Sequence, residues 1–369
     1  MTTEPDSSAD TAEPRGAASA TVPPTDGPPT DGPPSGESPS ASPNALTEPA
    51  GKGPTGKAPI GNAKVGTADV VFKNLTRAAG FALLALIVAI ALFLVLKATH
   101  ALDVNKGNFL TTKEWFPNDP TPKFGVGATL FGTVVTAAIA MILAVPIAVG
   151  IALFITVYAP RQLSSALGYV VDLLAAVPSV VYGLWGLIVL APHMTGVQLW
   201  LNDYLGWIPL FDADSVGRSY FVAGVVLAIM ILPIVAALSR EVFLQVPIAH
   251  REAALALGAT RWEMIRTAVL PYGRPGVISA SMLGLGRAMG ETIAVALVLP
   301  ASFSISGHLL EPAGNTIAAN VANGWGEANT VGRGALIASG LVLFIVTMLV
   351  NIAARAIVAR RREFSGSSA

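Results

Sequence analysis

The chain has 369 residues, 53% hydrophobic and 12% charged, with zero formal net charge and no cysteine. Soluble domains carry about 25% charged residues, so an ordinary water-soluble globule is excluded, and neutrality offers no electrostatic footprint for nucleic acid. Without cysteine there is no disulfide framework or thiolate metal site, and four scattered histidines leave little for zinc, so no metal site is expected.

Residues 1–69 contain the tandem repeat TDGPPTDGPP and are rich in Pro, Gly, Ser and Thr. Such a segment buries too little apolar surface to offset the entropy of ordering, and it is predicted to be a disordered cytoplasmic tail. Its prolines could dock a partner, but a dispensable extension is the plainer reading. The stretch GKGPTGKA imitates a phosphate-binding loop, yet Ala58 replaces the Mg²⁺-binding hydroxyl and Pro59 follows where a helix should begin. With no apolar leader near Met1, the first apolar helix is expected to serve as the insertion signal.

Residues 70–362 carry the apolar runs. A helix needs about 20 apolar residues to cross a bilayer, and such runs lie at Ala78–Leu96, Gly125–Val157, Leu173–Pro192, Ser219–Ser239, Pro275–Pro300 and Gly334–Ala354. The expected fold is all-α integral membrane with six transmembrane helices. Assuming a cytoplasmic N-terminus, fourteen Lys and Arg flank the inner ends and six the outer ends. This asymmetry places both termini in the cytoplasm, including a short tail at 363–369. Four lysines in the first outer loop oppose it, offset by Asp103, Glu114 and Asp119.

Smaller features follow in chain order. Asp172 opens the third run and is expected to be solvated or to cap a helix. Pro178 and Pro233 interrupt their runs, as gating kinks or as packing features. Trp200 and Trp207 on an outer loop are expected to anchor at the interface, or to touch an external partner. The largest inner loop, 240–274, holds two short amphipathic pieces broken at Gly258, where positive φ is easily reached. Its apolar face needs a cover: a partner, the chain's own helices, or the membrane surface.

The run Pro275–Pro300 is interrupted only by Arg287 and Glu291. A charged residue at the bilayer centre costs about 2.5–3.5 kcal/mol, so these should face inward with partners. Spaced i and i+4, they can form an ion pair on one helix face, and Gly286/Gly290 form a small-xxx-small pair suited to close helix approach. Two roles remain: a neutralised pair locking two helices, or an anion site on a translocation path. Arginine's planar fork suits oxyanions. HPO₄²⁻ has a proton to donate to Glu291, whereas sulfate has none. The GLGRAMG stretch lacks the third glycine of a dinucleotide fingerprint and is no nucleotide site.

The loop sequence EAALALG followed by LP, with Glu252, Ala253, Ala254, Gly258, Leu270 and Pro271, resembles the EAA loop of ABC importer permeases. Ala268 departs from the isoleucine usual there. The resemblance implies a type I importer (MetI-like) permease fold and a coupling helix in which these six residues dock a separate ATPase. ATP and Mg²⁺ would bind that subunit, leaving this chain without cofactor or catalysis. The stretches YAPRQLSSALGYVVDLLAAVPSVVYGLWGL and GLGRAMGETIAVALV resemble phosphate importer permeases, nearer the PstC type than the PstA type. That likeness implies a phosphate permease in the bacterial plasma membrane, with Arg287 and Glu291 on the path. It also implies a PstA-type permease, two PstB-type ATPases and an extracytoplasmic PstS-type binding protein as partners. A permease for molybdate or sulfate, a polytopic enzyme using Arg287, Glu291 and Asp172, and phosphate signalling through the complex are the alternatives.

Overall fold

A computed structural model describes residues 66–365, with side chains to Ala356. The expected tail at 1–69 lies almost wholly outside these residues, with GKGPTGKA, Lys57 and Lys64, and residues 366–369 lie outside them too. Five helices are long and apolar enough to cross a membrane: α1 (Thr67–Val104), α2 (Gly127–Tyr158), α4 (Ser179–Leu205), α5 (Tyr220–Leu244) and, as the spanning part of the longer α10 (Thr330–Ser365), Thr330–Ala356. Between them lie α3 (Arg161–Ala175), α6 (Ile248–Ala256), α7 (261–289), α8 (Ile293–Val298) and α9 (Ile317–Gly324).

The core is the seam between α2 and α5. Ala137, Ala140 and Ala144 meet Ala223, Leu227, Met230 and Ile231, all buried. In lipid, helix association rests on packing, and small residues let backbones approach. Gly224 shows this: a Cβ there would lie 2.5 Å from Ile139. At Gly132 it would lie 2.1 Å from the Asn315 carbonyl oxygen. The α1–α10 contact repeats the device, since a Cβ on Gly334 would lie 2.6 Å from that of Ala101.

Two of the six expected spans differ from their apolar runs. The run Leu173–Pro192 is not one helix: α3 ends at Ala175 and a new helix starts after Pro178, whose ψ of 138° is extended. Proline also disfavours helical backbone at the residue before it. Pro178 therefore begins a span instead of kinking one, and α4 continues to Leu205. Asp172 opens no span and caps no helix; it sits exposed on α3, 3.6 Å from Arg240 of α5, and stays open to solvent as expected. Pro233 does lie inside its helix. The run Pro275–Pro300 is broken at residues 290–292, so the sixth crossing is α7 followed by the short α8.

Three wide π turns have a common cause. Residues 154–158, 186–190 and 265–269 each close with an N–H reaching back five residues, from Ala159, Ala191 and Leu270. The next residue is a proline each time: Pro160, Pro192 and Pro271. Proline lacks an N–H and its ring crowds the carbonyl four residues back, and a one-residue bulge relieves both. The loop after α1 holds an unexpected hairpin pairing Trp115 with Phe124 and Phe116 with Lys123. Asn105 stitches it by hydrogen bonds with both backbone groups of Phe124, and Lys123 pairs with Glu114 at 2.8 Å.

Gly132→Ala is expected to destabilise the protein by about 1–3 kcal/mol through overpacking, because the obstructing atom belongs to the backbone. Gly150→Ala on the same helix, with nothing within 4 Å of the new methyl, should be neutral or slightly stabilising. Detergent-solubilised thermal melts of the two variants check the contrast.

Candidate functional site

The 240–274 loop folds into the two pieces its spacing predicts. No residue of α6 is buried; Glu252 and Ala253 are exposed, while Ala254 packs beside Val246 and Ile265. Leu257, at the end of α6, is 90% exposed, a large apolar side chain with no cover among the described residues. Gly258 makes the turn with φ of +84°, in the left-handed region that side chains resist. Thr260 then opens α7 with a reciprocal capping box. Its N–H and hydroxyl both donate to Glu263 Oε2 at 2.8 Å, and the Glu263 N–H donates to the Thr260 hydroxyl. These bonds, backbone first, hold the Glu263 carboxyl below the usual glutamate range.

Both ends of this loop are tied to membrane helices. Arg251 on α6 donates to the Phe243 carbonyl at the end of α5. On the other side, α7 passes through the π turn before Pro271 and runs unbroken to Met289. Leu270 and Pro271 thus belong to the root of this long helix, while Glu252, Ala253 and Gly258 lie on the exposed loop. At about 1.5 Å per residue, residues 261–289 span roughly 43 Å, enough to link the loop to the membrane interior.

The far end of α7 corrects the expected ion pair. The helix stops at Gly290, and Glu291 leaves the i, i+4 ladder, its N–H turning to the Ala288 carbonyl instead. Glu291 is buried, and its Oε1 accepts the Ala294 N–H at 3.2 Å, capping α8. Arg287 remains on α7, with no carboxylate in ion-pair distance among the described residues. Tyr182 of α4 lies close enough to feel its charge. The expected close approach at Gly286 is also absent, with nothing within 4 Å of a Cβ there. The tight contact falls at Gly284, against Val235 at 2.7 Å.

Arg218, counted from sequence only as a flanking charge, closes the opposite end of α8. Its Nε donates to Val298 O at 2.7 Å, and its Nη2 donates to Leu297 O and Leu299 O at 2.8 and 3.1 Å. A helix of six residues is therefore bracketed by a carboxylate at its N-terminus and a guanidinium at its C-terminus, the signs its dipole favours. Gly286 and Arg287 open onto a groove of about 910 Å³ between α7 and α10, also lined by Ser279, Asn351 and Arg355.

The family model described as "Binding-protein-dependent transport system inner membrane component" matches residues 144–363, from within α2 through α10. The chain belongs to this family. Its relatives in the family include the phosphate transport system permease protein PstC 2 of Mycobacterium tuberculosis, 48% identical over 78% of this chain and 90% of that one. The PstC of Xylella fastidiosa is 45% identical over 81% of this chain and 93% of its own length. The PstC of Haemophilus influenzae is 37% identical over 80% and 95%. Among solved structures, the inward-facing MetNI methionine ABC transporter aligns with TM-score 0.45 at 18% identity, over 64% of this chain and 95% of that one; a likeness that loose carries no weight. As a member of this family the chain is a multi-pass membrane permease subunit, not itself a catalyst.

Arg218→Gln removes most of the cap on α8 and should lower both the melting temperature and transport, with Arg218→Lys restoring only part, because one ammonium cannot fork to three carbonyls. Thr260→Ala should also lower the melting temperature at neutral pH. Since the Glu263 pKa is depressed in the fold, the stability it contributes is present above the ordinary glutamate value of about 4.3. It is lost as pH falls through the lowered one, so the gap between wild type and Thr260→Ala should narrow in acid. Melts across pH read this directly.

Proposed function

We propose that this chain is the PstC-type permease of an ATP-driven inorganic phosphate importer. The observation that carries the reading is identity of 37–48% to phosphate permeases across 86–95% of their length. In this reading a homologous PstA-type permease completes the path, an extracytoplasmic PstS-type protein delivers phosphate, and two PstB-type ATPases bind ATP and Mg²⁺. Both termini and the 240–274 loop lie in the cytoplasm. The exposed Glu252, Ala253 and Leu257 support α6 as the surface that meets the ATPase.

Coupling then follows from connectivity. The ATPase moves α6, Arg251 passes the displacement to α5, and the Gly258 turn with the Thr260 cap passes it to α7. The tip of α7 carries Arg287 and the break at 290–292. Movement at the loop therefore shifts the guanidinium against α4 and α8, alternating the side from which the anion is reached. Arg287 attracts the oxyanion, and its lack of a carboxylate partner among the described residues supports its donors being left for substrate. Glu291 screens it: one oxygen caps α8, and the other accepts a hydrogen bond from the hydroxyl that HPO₄²⁻ carries and sulfate lacks.

Uptake of labelled phosphate by cells relying on this permease and its co-expressed partners tests the reading. Unlabelled phosphate should compete, and excess sulfate or molybdate should not; an assembled complex that admits no phosphate overturns it. Arg287→Gln should reduce uptake at least tenfold with the complex still assembled. Gly258→Ala should uncouple, with assembly and phosphate delivery intact but ATP hydrolysis no longer stimulated by the loaded binding protein.

A further inference from the structure

We propose that the groove between α7 and α10 is the cytoplasmic half of the anion path, and that Arg355 is the second guanidinium the oxyanion meets after Arg287. This rests on the oxyanion-permease reading above. Arg287 and Arg355 both line the groove, and its lining includes no Asp or Glu. Among the described residues neither arginine has a carboxylate within ion-pair distance. The groove follows α7 from Arg287 down to Pro275, about 18 Å at 1.5 Å per residue. That is more than half of a hydrocarbon core about 30 Å thick.

Ser279, Asn351 and Arg355 are exposed and fall on the faces that line the groove. Asn351 and Arg355 on α10 are one turn apart, as i and i+4, and Ser279 and Gly286 on α7 are two turns apart, as i and i+7. An arginine serving only a lipid headgroup needs a position on the outer face of a helix end. Arg355 instead shares its cavity with an arginine deep in the span. A site with one cation would trap a dianion; a second cation nearer the mouth offers a downhill handover, and its exposure to solvent weakens its hold enough for release. Gly286 leaves its part of the groove open, with nothing within 4 Å of where a Cβ would lie.

The chain has no cysteine, so a single introduced thiol reports the groove cleanly. Ser279→Cys is placed in the complete complex, in inside-out membrane vesicles, against a cysteine-free background. Anionic (ethylsulfonate) and cationic (trimethylammonium) methanethiosulfonates are then added from the cytoplasmic face. The anionic reagent should react faster, inorganic phosphate should protect, and adding Arg355→Gln should slow the anionic reagent several-fold without slowing the cationic one. Arg355→Lys should restore the anionic rate. Reaction only with a lipid-soluble maleimide would make the groove a lipid-facing cleft and overturn the proposal, as would anionic rates indifferent to Arg355→Gln. Protection by sulfate or molybdate in place of phosphate would keep the path and discard phosphate as its cargo.

Discussion

Hydrocarbon satisfies no backbone hydrogen bond, so every departure from a straight helix within a span must be closed by the protein itself. The break at residues 290–292 is the departure on which the rest depends. It ends α7 at Gly290 and starts a six-residue helix whose polar ends would otherwise be orphaned. Glu291 serves one end and Arg218 the other, with three carbonyls on one guanidinium. Because Glu291 is engaged in capping, Arg287 is not neutralised by it. One backbone interruption thus creates an ordered kink, a bracketed short helix and a cation that faces a groove with no ion-pair partner among the described residues.

The same constraint governs the prolines. Where a proline follows directly on a helical segment, at Pro160, Pro192 and Pro271, the preceding turn widens so that an N–H five residues on serves the displaced carbonyl. The third of these lies at the Leu270-Pro271 pair, where α7 continues without a break. In the proposed coupling, a rod with one bulge transmits displacement whereas a flexible linker would dissipate it, which gives Leu270 and Pro271 a mechanical role distinct from the contact role proposed for Glu252 and Ala253.

The fold was legible wherever a run of apolar residues was long and uninterrupted. Val134–Leu143 or Val222–Leu232 cannot sit in water, and periodicity has little to decide there. The failures came where short-range chemistry overrode hydropathy. Leu173–Pro192 is apolar enough to span, but Pro178 splits it, and the polar Ser164 and Gln162 upstream mark α3 as a separate helix. The i, i+4 spacing of Arg287 and Glu291 presumed an unbroken helix, and Gly290 between them, with β-branched Thr292 and Ile293 after it, carried the contrary signal. Gly258 was readable because its break fell between two amphipathic pieces. Arg218 was not, since its acceptors lie about 80 positions away and are backbone carbonyls that leave no trace in side-chain chemistry.

The bracketing of α8 also bears on selectivity. A free carboxylate beside Arg287 would form an ion pair and remove the positive potential that draws an oxyanion inward. A carboxylate held at a helix N-terminus is stabilised there by the dipole and by the Ala294 N–H, so it need not claim the arginine. On the proposed path it is then placed to accept a hydrogen bond from an anion that carries a proton, which an anion without one cannot supply. Under the proposed function, separating the two groups by one broken turn lets a single segment attract oxyanions as a class and discriminate within it, which neither an intact ion pair nor an isolated arginine would do.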